Sequence, residues 1–437
     1  MQPPLLDSFR GVAGRDGVLT GAALSRYAID GRVPDCAVFP RSVDEVAAVV
    51  QLAARAGIPV IPWGGGTAAG VGSPPPVAGI VLGLTRLARL VEHEPGDLTA
   101  TVEAGMTLTA LQAALRTRGQ WLSLDPPDAE RATVGGVLAA NAWGPRRHLY
   151  GTARDLLIGL TVVTADGEIV RGGGKVVKNV AGYDLPKLFI GSHGTLGVVV
   201  EATFKLRPRP DDERLVAVGF ARLADAGAAA RTLLGSDLVP CAVDLLDAAA
   251  AATLPVEAVP TLVVGFDGPR EQVEWQVAEL ARLLAPLGGG RPASLDAQAW
   301  TRLSGAAGAA GTAVAVMTLS VLPAGVTATM EEGERRARER GFRSAWSAHA
   351  GVGAVTAALH SDREPLDPAP VMAVLRDWRA AAQAGGGHAT LVRAPLVVKA
   401  DVAVWDDPGA AGRIMHRIKT QLDPRNILNP GRFVAGI

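Results

Sequence analysis

Between residues 125 and 208 the chain repeatedly interrupts its own regular structure with glycine. Two apolar runs in this stretch read as strands: 156–164, closed by Asp166-Gly167, and the alternating, β-branched 196–206, stopped at Pro208. Around them lie Thr133-Val134-Gly135-Gly136, Asn141-Ala142-Trp143-Gly144, Tyr150-Gly151 and Gly191-Ser192-His193-Gly194-Thr195. An earlier bend of the same kind, Trp63-Gly64-Gly65-Gly66-Thr67-Ala68-Ala69-Gly70, follows a strand-like run at 58–63. Glycine at such ends permits positive φ and lets the backbone approach a flat or anionic ligand. One bend of this type is a turn. Several of them, each at the edge of a strand, point to a large ligand lying along the backbone.

The elements before these bends alternate. Ser42 is placed to cap a helix with Glu45 as its partner, Val46, Val49, Val50 and Ala53 form the apolar stripe, and Gly57 ends it. Strands are expected at 58–63, 80–84 and 99–103, and a helix at 108–118, so this part is α/β. Beyond Pro210 the chain turns alanine-rich. Strand-like runs at 215–220, 242–246, 261–266 and 312–321 alternate with helical ones at 225–234, 271–284 and 330–340, which predicts an α+β domain with helices on one sheet face. A helix at 415–422 precedes the end.

With 437 residues the chain exceeds one ordinary core, and 48% hydrophobic against 20% charged residues is globular composition. The 43 basic and 43 acidic residues cancel, which favours neither nucleic acid nor an anionic membrane as partner. The N-terminal MQPPLLDSFR lacks the regions of a signal peptide. The uncharged run 303–330 is long enough to cross a bilayer, but its Gly-Ala start and Pro323 make it a loop, a buried strand and a helix start, so no transmembrane segment is expected. Cys36 and Cys241 have no metal-type spacing and read as buried thiols.

Gly64, Gly66 and Ala69 satisfy the G-x-G-x-x-A dinucleotide pattern, yet Gly70, Gly72 and Pro74-Pro75-Pro76 forbid the helix that pattern must open. The bend reads instead as an anion nest of successive amides. At Thr133, Gly135 and Gly136 the chain can pass against a ligand with the hydroxyl reaching a phosphate oxygen, before a short apolar turn, 137–140, capped by Asn141. Lys178, Tyr183 and Asp184 sit close together; a cation beside a bound ligand and a salt-bridged surface loop explain them equally.

In this order, T-x-G-G at 133–136, N-A-x-G-P-R at 141–146, Y-G-x-x-x-D at 150–155, K-N-V-A-G-Y-D-L at 178–185, G-S-x-G-T-L-G at 191–197 and D-P-R-N-I-L-N-P-G-R at 423–432 closely resemble the vanillyl-alcohol-oxidase (PCMH-type) flavoproteins. Within them the pattern is most similar to the smaller FAD-binding subunits of bacterial glycolate oxidase. The resemblance implies α/β plus α+β architecture: an N-terminal lead at 1–33, a PCMH-type FAD-binding domain of two subdomains at 34–210, an α+β cap or substrate domain at 211–400, and a segment at 401–437 returning to the FAD domain. It places FAD on Trp63, Gly64, Gly65, Gly66, Thr67, Ala68, Gly70, Pro126, Thr133, Gly135, Gly136, Ala139, Asn141, Tyr150, Gly151, Arg154, Asp155, Gly197, Val198, Val199 and Asn429. No histidine occurs between residues 60 and 76, where some relatives tether the cofactor, so non-covalent FAD is expected.

Relatives that oxidise 2-hydroxy acids carry H-x-G-x-G-x-x-H where this chain has His349 to Thr356, so the second histidine is replaced. With one imidazole and no carboxylate nearby in sequence, no metal is expected. Their E-H-G-I-G segment is also lacking at 385–395, which leaves His349 and His388 as candidate bases and the catalytic residue unassigned. His193 stands where relatives have Glu. The expected role is the FAD-binding oxidoreductase subunit of a glycolate (2-hydroxy acid) oxidase complex, with a second FAD-containing catalytic subunit and an iron–sulfur subunit, cytoplasmic or peripheral to the inner membrane through those partners. The alternatives are a stand-alone FAD-dependent dehydrogenase of another hydroxy acid and a non-catalytic FAD-holding assembly subunit.

Overall fold

A computed structural model of the chain describes residues 3–77, 79–174, 184–309, 313–362 and 365–437. They form two compact units, the first made of Met1–Trp143, Thr152–Arg209 and Asp407–Ile437, the second of Gly144–Gly151 and Pro210–Asp406. The expected boundaries put residues 144–151 with the first unit; they pack with the second.

In the first unit the helix Val43–Ala56 starts at Ser42, whose hydroxyl accepts from the Glu45 amide, and ends at Gly57 with φ 64. Its stripe Val46, Val49, Val50 and Ala53 is fully buried against a small sheet. There Cys36–Val38, Ile80–Gly83 and Val60–Trp63 run parallel, with Val18–Leu19 antiparallel at the edge. The C-terminal stretch returns as expected: the Val60 amide donates to Ile427 (2.7 Å) and the Asn429 amide to Val60 (2.9 Å). A second, wholly antiparallel sheet orders Leu90–Glu94, Thr99–Glu103, Val198–Lys205, Leu157–Val163 and Ile169–Gly173. The helices Leu108–Arg116 and Val134–Ala140 bury their apolar sides on it. These are the two expected subdomains.

The second unit is one 8-stranded antiparallel sheet, in the order Ala293–Leu295, Asp212–Gly219, Thr261–Gly268, Ala242–Leu246, Arg343–His349, Ala354–His360, Ala313–Ser320, His388–Arg393. Successive residues of a strand face opposite sides. Val216 and Val218 join the core beneath the long helices Leu223–Leu234, Arg270–Leu284, Val326–Glu339 and Pro368–Ala384, whereas Leu215 and Ala217 join a separate core with Ala250, Trp300 and Leu303. Helices therefore cover both faces, not one. Those on the second face (Ala248–Ala251, Gln298–Ser304, Ala306–Ala309) are too short to show a helical repeat.

The uncharged run resolves into the strand Ala313–Ser320 and the start of the helix Val326–Glu339. No helix among the described residues is long and apolar enough to cross a membrane. Cys36 and Cys241 are both buried and free, and burial pushes the Cys36 thiol up to about 12.

Candidate functional site

The strand Val60–Trp63 runs straight into the glycine bend, and the bend forms one wall of a cleft in the first unit. Its lining joins Trp63, Gly64, Gly65, Gly66, Thr67, Ala68 and Ala69 to Gly136, Ala139 and Ala140, to His193, and to Asn429 and Arg432. Bends far apart along the polypeptide thus share one cavity.

The reason for the glycines is partly internal. A Cβ on Gly65 would run into the Arg131 carbonyl, and one on Gly64 into the Thr133 hydroxyl. Lacking side chains, the two bends pack directly on each other. Among the described residues the successive amides of Gly64, Gly65, Gly66, Thr67 and Ala68 donate to no backbone carbonyl, which leaves a row of donors for a ligand.

The helix Val134–Ala140 is longer than the turn expected at 137–140. Thr133 is its N-cap: Oγ1 accepts from the Gly136 amide at 3.3 Å, which leaves the O–H of the same hydroxyl to donate. Asn141 closes the helix with φ 47. The third bend is sewn to that end, with the Gly191 amide donating to Leu138 (2.9 Å) and the His193 amide to Ala139 (2.8 Å). His193 also holds a left-handed backbone, φ 52, and its ring lies 5.4 Å from that of Phe433. Burial, and secondarily Arg432, pushes its imidazole from 6.5 down to about 4.

The C-terminal stretch closes the cleft. Asn429 donates through Nδ2 to the His193 carbonyl at 2.6 Å, and its Oδ1 is buried with no partner among the described residues. Arg432 spreads its guanidinium over the glycine bend, donating to the carbonyls of Ala69 (2.7 Å), Val71 (2.5 Å) and Ser73 (3.3 Å), with Asp30 at 4.0 Å. Burial lowers its pKa and Asp30 opposes that shift. Arg432 closes the D-P-R-N-I-L-N-P-G-R motif, but its hold on main-chain carbonyls of the glycine bend is set by the fold, which the motif does not announce.

Other expected residues lie elsewhere. Gly135 abuts Ala104, and Gly70 and Pro126 are outside the cleft lining. Gly197 faces the Phe189 ring, while Val198 and Val199 are buried in a ladder with Val163 and Val162. Arg154 is exposed, and Asp155 accepts from the Thr152 amide at 2.8 Å as a capping residue. Tyr150 and Gly151 belong to the second unit, where the Tyr150 hydroxyl donates to Asp267 at 2.7 Å. Lys178 and Tyr183 lie outside the described residues.

The second unit corrects the picture of His349. A carboxylate is beside it after all: Asp244 sits directly opposite on the neighbouring strand, and His349 Nδ1 is hydrogen-bonded to Asp244 Oδ1. Both are buried, Asp244 to 1% exposure. His148 lies against Gly351, its pKa lowered first by burial. Among the described residues no cluster of His, Cys, Asp or Glu is arranged to hold a metal ion. His388 has 81% of its side chain exposed, 3.8 Å from Asp406, and lacks the enclosure of a working base.

Residues 34–173 match the family described as "FAD binding domain", and residues 209–433 the one described as "FAD linked oxidases, C-terminal domain". Glycolate oxidase subunit GlcD of Bacillus subtilis (strain 168) is 34% identical over 250 residues, 55% of this chain and 53% of that protein. Glycolate oxidase subunit GlcE of Escherichia coli (strain K12) is 43% identical over 136 residues, 31% of this chain and 39% of that protein. The chain thus spans about half the length, or less, of these curated relatives. The crystal structure of p-cresol methylhydroxylase with substrate bound superposes with a TM-score of 0.79 at 20% identity, covering 98% of this chain and 96% of that one, which establishes the fold.

FAD combines a diphosphate with a ring system edged by donors and acceptors. The cleft offers a row of amides that, among the described residues, donate to no backbone carbonyl and suit the first, and an Asn429 Oδ1 that has no partner among those residues and suits a donor of the second. The residues present fit the group.

Proposed function

Because the chain belongs to the FAD-linked oxidases, we propose that it is the FAD-holding subunit of a complex that oxidises a small 2-hydroxy acid such as glycolate. The observation that carries this reading is the convergence of the 63–69, 133–141 and 191–195 bends and Asn429 on one cleft. The amides of Gly64 to Ala68 hold the diphosphate, Asn429 Oδ1 accepts from the cofactor, and Arg432 keeps the bend in shape. FAD, when bound there, supplies the two-electron acceptor that no side chain provides. Likeness to both GlcD and GlcE supports membership of a multi-subunit assembly. We extend that to a second flavin subunit and an iron–sulfur subunit, with the complex in the cytoplasm or held at the inner membrane by its partners.

A visible spectrum tests the proposal. The purified protein is expected to carry a flavin released on denaturation, and glycolate or D-lactate is expected to bleach it only when the partner subunits are present. A colourless protein that cannot take up FAD would reduce the chain to an assembly subunit.

A second reading, a stand-alone hydroxy-acid dehydrogenase, is favoured by the His349–Asp244 pair. A carboxylate accepting from Nδ1–H leaves Nε2 as the proton acceptor, the arrangement a general base needs. Bleaching by substrate without partners would select this reading.

A further inference from the structure

Lys419 is buried to 4% exposure in the C-terminal helix Ala411–Leu422, and its ammonium has three acceptors. Nζ donates to Asp423 Oδ2 at 2.6 Å, to the Thr195 carbonyl at 2.8 Å and to the Leu428 carbonyl at 2.9 Å. A lysine has three N–H donors, so none is wasted. Asp423, 1% exposed, in turn accepts from the amides of Ile427 (3.0 Å) and Leu428 (2.8 Å). Burial lowers the Lys419 pKa, and Asp423 opposes the shift.

The two carbonyls held by Lys419 belong to different parts of the chain. Thr195 ends the bend that carries His193, and Leu428 precedes Asn429; both His193 and Asn429 line the cleft. The same turn is tied to the root of the glycine bend, since Asn429 donates its amide to Val60, where the strand leading to Trp63 begins. Lys419 itself is not among the cleft-lining residues.

We propose that the Lys419–Asp423 pair is a positioning clamp for the cofactor cleft. It fixes the His193 bend against the Asn429 turn and thereby sets the affinity for FAD without touching it. This rests on the assignment of the cleft to FAD. Burying an ion pair is a poor way to gain stability alone, because desolvation offsets most of the attraction. Its return here is a fixed geometry of two main-chain segments, with the charge spent on backbone carbonyls that no apolar side chain could hold.

The test compares Lys419→Met, Lys419→Gln and, as a direct change to the cleft wall, Asn429→Gly. FAD affinity is read from flavin fluorescence, the ring environment from visible circular dichroism, and apo-protein stability from chemical unfolding. The clamp predicts that Lys419→Met raises the Kd for FAD about tenfold or more and alters the bound-flavin dichroism, with Lys419→Gln intermediate because it keeps two donors. If Lys419→Met does not fold, Lys419→Gln decides by the same criterion. A variant that lowers the unfolding midpoint but binds FAD within about threefold of wild type, with unchanged dichroism, overturns the clamp. In that case a weakened Asn429→Gly leaves the cleft assignment standing, and an unaffected Asn429→Gly removes the assignment too.

Discussion

Asn429 donates through Nδ2 to the carbonyl oxygen of His193 at 2.6 Å, joining residues 236 positions apart, and both hold left-handed backbone with φ 43 and 52. The other amide atom, Oδ1, is buried and unpaired among the described residues. Leaving such an acceptor unsatisfied costs about 1–3 kcal/mol, a cost that a ligand donor relieves. Asn429→Gly keeps the backbone conformation and removes both the donor and the orphan. The apo-protein is expected to change by no more than ~1 kcal/mol in chemical unfolding, while FAD binds about tenfold more weakly. Loss of stability with unchanged affinity would show that the side chain serves only the fold.

At Gly65 the two principal bends meet backbone to backbone, because a Cβ there would meet the Arg131 carbonyl, and backbone cannot swing aside as a long side chain can. Gly65→Ala is expected to destabilise by about 1–3 kcal/mol, the range for overpacking, and to lower FAD content. Gly57→Ala is the control, since nothing stands within 4 Å of the added carbon. Its φ of 64 still carries the left-handed penalty of about 1–2 kcal/mol, but flavin content should be retained.

His193 makes stability depend on acid. Its imidazole is held from 6.5 down to about 4 by burial, so the unfolded chain binds a proton more readily than the folded one between those values. Stability from this group is complete above about pH 6.5 and is lost as pH falls towards 4. The shift is worth about 3 kcal/mol at ~1.4 kcal/mol per unit. His193→Asn, a residue that tolerates left-handed backbone, is expected to flatten that limb of the unfolding free energy against pH. An unchanged acid limb would assign the dependence to other groups.

What could be read from the residues alone divides along physical lines. The glycine bends were legible because glycine carries its permissive backbone in its identity, and so were Ser42 and Gly57, whose capping roles are local. The cleft was legible as a set of bends, but not which face of each enters it: Gly136 does, while Gly135 packs on Ala104. Lys419 and Arg432 escaped because their partners are carbonyls, which every residue possesses. Asp244 escaped because its pairing with His349 is set by the register of strands 105 residues apart, and nothing near His349 in sequence hints at it. The second-face helices were missed for want of length.

That register yields the last prediction. Asp244 is buried with one oxygen hydrogen-bonded to His349 Nδ1, which orients the ring, and a carboxylate accepting there favours the tautomer protonated at Nδ1. Asparagine at 244 keeps the size of the carboxylate but removes its charge and can present N–H to the ring, favouring the other tautomer. If His349 takes the hydroxyl proton of a 2-hydroxy acid, Asp244→Asn is expected to slow substrate-dependent flavin bleaching by about 10²–10⁴, the span of general-base effects, with FAD content unchanged. His349→Gln should slow it similarly, and the double variant little further, because the two act as a unit. Bleaching at the wild-type rate in Asp244→Asn would remove the pair from the chemistry and leave it as a buried strand-to-strand contact.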